Sequence, residues 1–497
     1  MIFNTTFFNN EDWWSTFVGF ASFILCSALS FITKANYYTP SAWTKNPLDF
    51  FSKGYFWVSI PVAFAVMYIG TKFPQMAQKQ GFDIRGFTFV FVLAILSMII
   101  GNQTHIHNGG FGTPFWSICI GVFVSNIVFR GFIVWPKITA MAGRCFNRMR
   151  GYAQIPDVEV TSIATDQDQN EIQAIDINNN EKKATGSKDK EKNPNIIPAW
   201  LKPVLLDEYF IKVSLVLLAM DLKKSKEIFG PALIVSADTM ILFTFIAFVG
   251  YKICKIDRDM SIVAAAAVSI CGSSAAKAIG STIRAKEDAK NYPIAVMALW
   301  TVAFIPTMPP MYTKWMKEKF AWSSLQAGAW IGGTIDTTGA VVACAALIDD
   351  EAKQSAAIVK MLQNCLIVPI CLGVLIWSIY FNINPVDPKA PPKRPTLTGV
   401  LKIVLERFPK FVLGFFILCI FLTVLPNADW KTHLNNTSLL GSTWFETVGF
   451  VCIGLNIDIV NLLGNGAVLK LSVFYLAAQS FDTLTTGLLS NFAFYNQ

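Results

Sequence analysis

Charge is scarce in this chain. Only 15% of its 497 residues are Asp, Glu, Lys or Arg, against 53% hydrophobic. That balance excludes an ordinary soluble domain, whose surface needs about a quarter of its residues charged. Histidine is rarer still, with three in all. His105 and His107 sit in a THIHNGG loop and His433 in another, too few ligands for a metal site, so they read as polar loop residues. The ten cysteines are scattered through or beside apolar segments with no CxxC pair, which excludes both a disulfide framework and a zinc site. No glycine-rich loop ending in Lys-Ser/Thr is present, so the chain shows no nucleotide engine, implies no cofactor and does not read as an enzyme. The N-terminus has no basic segment leading into a cleavage site, so 15–32 reads as a retained first span. It is not Arg-rich, which removes a mitochondrial transit peptide.

What is abundant is apolar sequence. Mean hydropathy is +0.45 and phenylalanine alone occurs 41 times. Apolar runs long enough for membrane helices recur at 14–33, 55–70, 86–101, 114–129, 205–220, 230–253, 260–283, 292–312, 323–347, 355–381, 408–425, 443–460 and 467–489. The short alternating segments of a β-barrel are missing. The sequence predicts an all-α polytopic membrane protein with 12–13 transmembrane helices, and its first partner is the lipid bilayer. The net charge of +8 is carried by loops between the runs, where it sets orientation and not nucleic-acid binding.

Five regions follow. Residues 1–149 hold N-terminal spans. Residues 150–199, including DQDQNEIQAIDINNNEKKATGSKDKEKNPN, are polar and almost free of aromatics, and read as a disordered cytoplasmic insertion able to recruit a soluble partner. Residues 200–381 form a core region, 382–407 a basic proline-rich connector, and 408–497 the last spans. Arg130, Lys137, Arg144, Arg148 and Arg150 after the fourth run, with Lys389, Lys393, Arg394, Lys402 and Arg407 in the connector, place both loops in the cytoplasm. The glycosylation sequons at Asn102 and Asn435 then fall outside. Nothing in the sequence opposes a homo-oligomer.

Two runs carry residues that a membrane helix ordinarily avoids. In AAAAVSICGSSAAKAIGSTI, 264–283, Ser269, Gly272, Ser273 and Ser274 form a polar break. In AGAWIGGTIDTTGAVVACAALI, 327–348, Gly332, Gly333, Thr334, Asp336, Thr337, Thr338 and Gly339 form another. Glycine lets the backbone leave helical geometry, and Ser, Thr and Asp cap a helix that restarts. Backbone freed at membrane depth is tolerated only where protein or a water-filled cavity covers it. Two interrupted helices meeting there would aim their half-helix N-termini at an anion. Close packing explains the small residues as well, Gly328 and Gly332 making a GxxxG pair, but it does not explain Asp336. Lys277 and Lys360 could balance an anion. Asp238 and Asp482 are further isolated acids within apolar runs.

The stretches IKVSLVLLAMDL (211–222), SICGSSAA (269–276), AGAWIGGTIDTTGAVVACA (327–345) and AAIVKMLQN (356–364) resemble the YeiH-type family of proposed sulfate exporters. FPKFVLGF (408–415) and FVCIGLNIDIV (450–460) fit the same pattern. That resemblance implies inverted-repeat architecture with two broken, crossing helices. A short echo between 217–230 and 452–466 is in keeping with an internal repeat.

The sequence therefore predicts a secondary transporter for a small anion: a sulfate-like oxyanion, a sulfonate or a carboxylate. The expected binding residues are Ser269, Gly272, Ser273, Ser274, Gly333, Thr334, Thr337, Thr338 and Gly339, with Lys277 and Lys360 supplying positive charge and Asp336 coupling flux to protons. Two alternatives stand beside it. One is a cation/proton antiporter with Asp336, Asp238 and Asp482 as ligands for sodium or protons. The other is a non-transporting membrane scaffold subunit.

Overall fold

A computed structural model describes residues 11–33, 42–51, 56–77, 81–108, 112–131, 197–218, 222–381, 383, 408–424, 429–458 and 466–495. The insertion at 150–199, apart from its last three residues, and the basic connector lie outside these residues, as do most of the charges used to assign orientation. Residues 1–127 and 197–497 form one unit. The second, 128–196, falls almost wholly outside the described residues.

The described residues contain helices and no strand, with one isolated bridge pairing Trp43 and Gln103. The long helices are α1 (Glu11–Thr33), α2 (Phe56–Ala77), α3 (Ile84–Gly101), α4 (Thr113–Phe123), α5 (Asp207–Leu217) and α6 (Leu222–Phe248). They continue as α7 (Arg258–Ala266), α8 (Gly272–Thr282), α9 (Glu287–Met311), α10 (Ser324–Thr334), α11 (Thr338–Ala346) and α12 (Asp350–Cys365). The last are α13 (Ile367–Tyr380), α14 (Lys410–Val424), α15 (Asp429–Asn456) and α16 (Gly466–Ala493). Among the described residues, each apolar run read from the sequence falls mainly on helix. Among the described residues, five stretches are long and apolar enough to cross a membrane unaided: Ile84–Gly101, Ile228–Ile253, Arg258–Thr282, Asp350–Tyr380 and Asn436–Asn456. Shorter apolar helices lie at Ser59–Lys72, Thr113–Phe129 and Lys410–Val424.

Helix starts follow local chemistry. Asp257 accepts from the amides of Asp259 and Met260 to open α7, and Asp349 accepts from Ala352 at 2.8 Å to open α12. Ser323 and Gln326 form a reciprocal capping box before α10. Pro306, Pro309 and Pro310 each remove an amide donor near the end of α9, and a wider π turn over Tyr312–Met316 follows them.

Packing is closest where glycines let backbones touch. A Cβ on Gly454 would lie 2.3 Å from the carbonyl oxygen of Ile118, and one on Gly121 would lie 2.6 Å from that of Val451, so α4 and α15 cross backbone to backbone. A Cβ on Gly328 would sit 2.2 Å from the Ala352 carbonyl, and one on Gly332 would sit 2.6 Å from that of Ala356. The GxxxG pair is therefore a packing device that seats α10 on α12. Ser438 and Ser442 of α15 donate to the carbonyls of Leu217 and Ser214, fixing α15 against α5. Lys353 and Glu446 form a buried ion pair at 2.8 Å between α12 and α15. On the outside, Ile241, Phe248, Ile417, Leu484, Leu488 and Phe492 are exposed, an apolar surface suited to lipid.

The Asn102 sequon meets a structural objection. The amide nitrogen of Asn102 already donates to the Met98 carbonyl at 2.9 Å and to the Thr113 hydroxyl at 3.1 Å. The side chain of Asn435 lies outside the described residues.

Candidate functional site

Both interruptions are present. The first helix runs from α7 through a π turn over Ala267–Cys271 and breaks at Cys271 and Gly272, whose backbone angles (φ −154°, ψ 88°; φ 7°, ψ −104°) are not helical. It resumes as α8. The second breaks after α10, where Ile335 and Thr337 are extended, and resumes as α11. The two breaks meet: the Gly272 amide donates to the Asp336 carbonyl at 3.0 Å. A hydrogen bond between two interruptions satisfies groups that would otherwise be orphaned at membrane depth.

A cavity of about 350 Å³ opens beside this contact. Ser273, Ser274 and Lys277 line it from α8, and Thr337, Thr338 and Gly339 from the start of α11. The Thr337 hydroxyl caps α11 by accepting from the Ala340 amide at 3.3 Å. The Thr338 and Gly339 amides belong to the first turn, where helix geometry provides no intrahelical acceptor. Asn364 of α12 donates to the Thr338 hydroxyl at 3.3 Å. The opposite wall is apolar, with Ile294, Met297 and Ile305 from α9.

The sequence reading missed what occupies the polar end. Glu208, in the first turn of α5, reaches the start of α8. Ser273 donates to its Oε1 at 2.5 Å and Ser274 donates to its Oε2 at 3.2 Å. Lys212, one turn along α5, lies 3.4 Å from Glu208 and 2.9 Å from both Glu11 and Asp12 of α1. Asp207 also lines the cavity and accepts from Asn456 at 3.1 Å. Lys277 is exposed and within electrostatic reach of Glu208. The cavity thus presents two lysines and three acids, with one carboxylate already seated on the serine pair. The available signal was Asp207-Glu208 at the head of an apolar run with Lys212 at i+4, a pattern that also reads as ordinary helix-end charge.

Several predicted residues stand elsewhere. Ser269 is buried and donates back to the Ala265 carbonyl at 2.7 Å, so it is not a ligand-facing group. The Gly272 amide is used by Asp336 and is not available to an anion. Gly333 packs against Val235 and Thr486, and its carbonyl accepts from Gln363. Lys360 is 1% exposed, donates to Gln363 Oε1 at 3.0 Å and does not line the cavity. Its ammonium stands behind the cavity wall, within electrostatic reach of the cavity-lining Cys271. Thr334 and Asp336 do not line the cavity either, and both are bonded to α16. Tyr475 of α16 donates to Asp336 Oδ2, and Gln479 donates to the Thr334 carbonyl at 2.5 Å.

This architecture is that of a polytopic all-α membrane protein built around two crossing, interrupted helices. The profile of the family described as Conserved hypothetical protein 698 matches residues 204–471, more than half of the chain, and the chain belongs to that family. The matched region contains Glu208 and both breaks. A UPF0324 membrane protein, RB9488, from Rhodopirellula baltica is 28% identical over 462 residues, covering 90% of this chain and 69% of that protein. A UPF0324 membrane protein from Nitratidesulfovibrio vulgaris is 27% identical over 457 residues, covering 88% of this chain and 64% of its own length. UPF0324 membrane protein YdhF from Lactococcus lactis is 29% identical over 241 residues, 48% of this chain and 67% of that protein. The chain thus spans about two thirds of the length of these relatives. No solved structure matches it.

Proposed function

We propose that this chain is a secondary active transporter, not an enzyme, and that the cavity at the crossing binds a small anion: a sulfate-like oxyanion, a sulfonate or a carboxylate. One observation carries the reading. The serine pair at the start of α8 already holds an anionic group, the Glu208 carboxylate, within the cavity. A site that seats a tethered carboxylate has the donors and the helix-terminal field to seat a free oxyanion.

Binding would proceed by exchange. The incoming anion takes the Ser273 and Ser274 hydroxyls, and Glu208 withdraws toward Lys212, its remaining partner. Lys277 supplies positive charge at the mouth, and the Thr338 and Gly339 amides supply donors from the second broken helix. Lys212 and Lys277, both on the cavity wall, offset part of the negative charge that the incoming anion adds. Asp336 sits behind the crossing, joined to α8 through its carbonyl. Its coupling role is therefore indirect: a change at its carboxylate would shift the backbone that holds the anion. The inverted repeat and the cytoplasmic placement of 150–199 and of the connector are part of the same proposal.

The test is flux. Purified protein in liposomes should take up labelled sulfate, a sulfonate or a carboxylate when an ion gradient is applied. Uptake should fall severely in the Ser273→Ala/Ser274→Ala double variant. Uptake at wild-type rates in that variant removes the cavity from the transport path.

A second reading is a cation/proton antiporter, and the three acids Asp12, Asp207 and Glu208 at the cavity are what favour it. Sodium-dependent proton flux with no anion requirement would select it.

A further inference from the structure

The side of the second break that faces away from the cavity carries an unusual accumulation of unpaired oxygen. On α16, Tyr475, Gln479, Asp482 and Thr486 stand at i, i+4, i+7 and i+11, so they share one face. That face lies along α10 and the break. Tyr475 donates to Asp336, Gln479 to the Thr334 carbonyl, and buried Trp330 of α10 donates to the Thr483 carbonyl at 3.0 Å. Thr486 donates to Asp482 Oδ1 at 2.8 Å. Four oxygens in this connected cluster have no hydrogen-bond partner: Asp336 Oδ1, Asp482 Oδ2, Gln479 Oε1 and Thr334 Oγ1. Each belongs to a residue no more than 2% exposed. Buried polar atoms are nearly always paired, and leaving one unpaired costs about 1–3 kcal/mol. Four in one cluster call for a guest that offers positive charge.

The charges nearby fix what kind of guest. Lys360 donates to Gln363 and is within electrostatic reach of Asp336 and Asp482, and Asp482 also feels Asp238. Lys360 forms no ion pair with either aspartate. The carboxylates around the second break outnumber the one ammonium, so the guest that fits is a cation. All four donors are hard oxygens, the class preferred by alkali and alkaline-earth ions over zinc or copper. Among the described residues no group of three or more His, Cys, Asp or Glu side chains is placed to hold a metal ion. That argues against a tightly bound divalent or transition metal and fits a weakly held monovalent one, coordinated largely by neutral oxygens.

We infer that Asp336, Asp482, Gln479 and Thr334 form a sodium site behind the helix crossing, separate from the cavity. The site shares Asp336 with the break whose carbonyl holds Gly272, so occupancy on one side and anion binding on the other would be linked through one residue. The sodium site does not depend on the anion reading, and its test needs no transported anion.

The experiment is thermal unfolding of the full chain, purified in detergent, titrated with NaCl, KCl or choline chloride at constant ionic strength and constant pH. A ligand that binds the folded state raises its apparent stability. Sodium should raise the transition temperature in a saturable way that choline does not reproduce. Asp336→Asn and Asp482→Asn should abolish that rise. Should either carboxylate variant fail to fold, Thr334→Val removes one ligand and keeps both acids. It should weaken the apparent sodium affinity about tenfold, equivalent to ~1.4 kcal/mol. Equal shifts with all three salts, a transition that follows pH but ignores sodium, or a sodium response unchanged in Thr334→Val would each overturn the assignment.

Discussion

The amide of Gly272 donates to the carbonyl of Asp336 at 3.0 Å, so the two interrupted helices are bonded to each other at the point where each leaves helical geometry. The serine pair that holds Glu208 starts one residue after Gly272. The buried cluster with four unpaired oxygens begins at the Asp336 side chain. Chemistry on either side of the crossing is therefore one peptide unit from the other side.

The Glu208 carboxylate should compete with any anion for the serine pair. Glu208→Gln keeps the shape and removes the charge. In thermal-shift titrations with sulfate or a sulfonate, this variant should respond at about tenfold lower anion concentration than the unsubstituted chain. The intrinsic stability should change little. The Glu208–Lys212 pair is 38% and 15% exposed at its side chains, and such partly solvated pairs contribute about 1 kcal/mol or less. A rise in the anion concentration required would contradict the exchange mechanism.

Thr337 both caps α11 and lines the cavity. Thr337→Val should lower stability by about 0.5–2 kcal/mol through loss of the cap, and Thr337→Ser should retain most of it. Chemical denaturation of the two variants side by side separates capping from shape.

Lys353 and Glu446 are 8% and 7% exposed at their side chains and pair at 2.8 Å. Replacing Lys353 alone by Met strands a buried carboxylate and should cost about 3–5 kcal/mol. The double variant Lys353→Met/Glu446→Leu should recover most of that loss, because two apolar groups leave no unpaired charge. A double-mutant cycle on thermal stability measures the coupling, and additive effects would show that the pair is not a unit.

Glycine positions differ sharply. Gly328→Ala and Gly454→Ala would drive a methyl group to 2.2–2.3 Å from a backbone carbonyl oxygen. Backbone cannot swing away as a side chain can, so each should destabilise by about 1–3 kcal/mol or more. Gly373 in α13 has nothing within 4 Å of its missing Cβ. Gly373→Ala should be neutral or gain about 0.5–1 kcal/mol from helix propensity. The transition temperatures of the three variants check the contrast directly.

Much of this was legible in the chain, for identifiable reasons. Helix positions could be read because a span needs a long apolar run whatever it packs against. The breaks could be read because Gly, Thr and Asp at 332–339 are expensive in a lipid-facing helix and had to be explained by something else. What could not be read was which side chains meet. Glu208 meets Ser273 across 65 residues, and Lys353 meets Glu446 across 93. Lys360 was expected to face an anion, yet the helix direction of α12 turns it toward Gln363 and the aspartates. Asp482 was visible as an isolated acid, but its meaning depended on the polar stripe Tyr475, Gln479, Asp482 and Thr486 facing the second break. That stripe has helical spacing and could have been found by following the polar residues of α16 instead of its apolar ones.

On the reading proposed above, the cavity beside the Gly272–Asp336 contact binds a free anion on the serine pair. The most direct measurement is equilibrium binding of sulfate, methanesulfonate and acetate to the detergent-purified full chain, followed by thermal shift at constant ionic strength, with and without Ser273→Ala/Ser274→Ala. At least one of these anions should give a saturable stabilisation that the double variant loses. Stabilisation by none of them, or stabilisation that persists undiminished in the double variant, would contradict it.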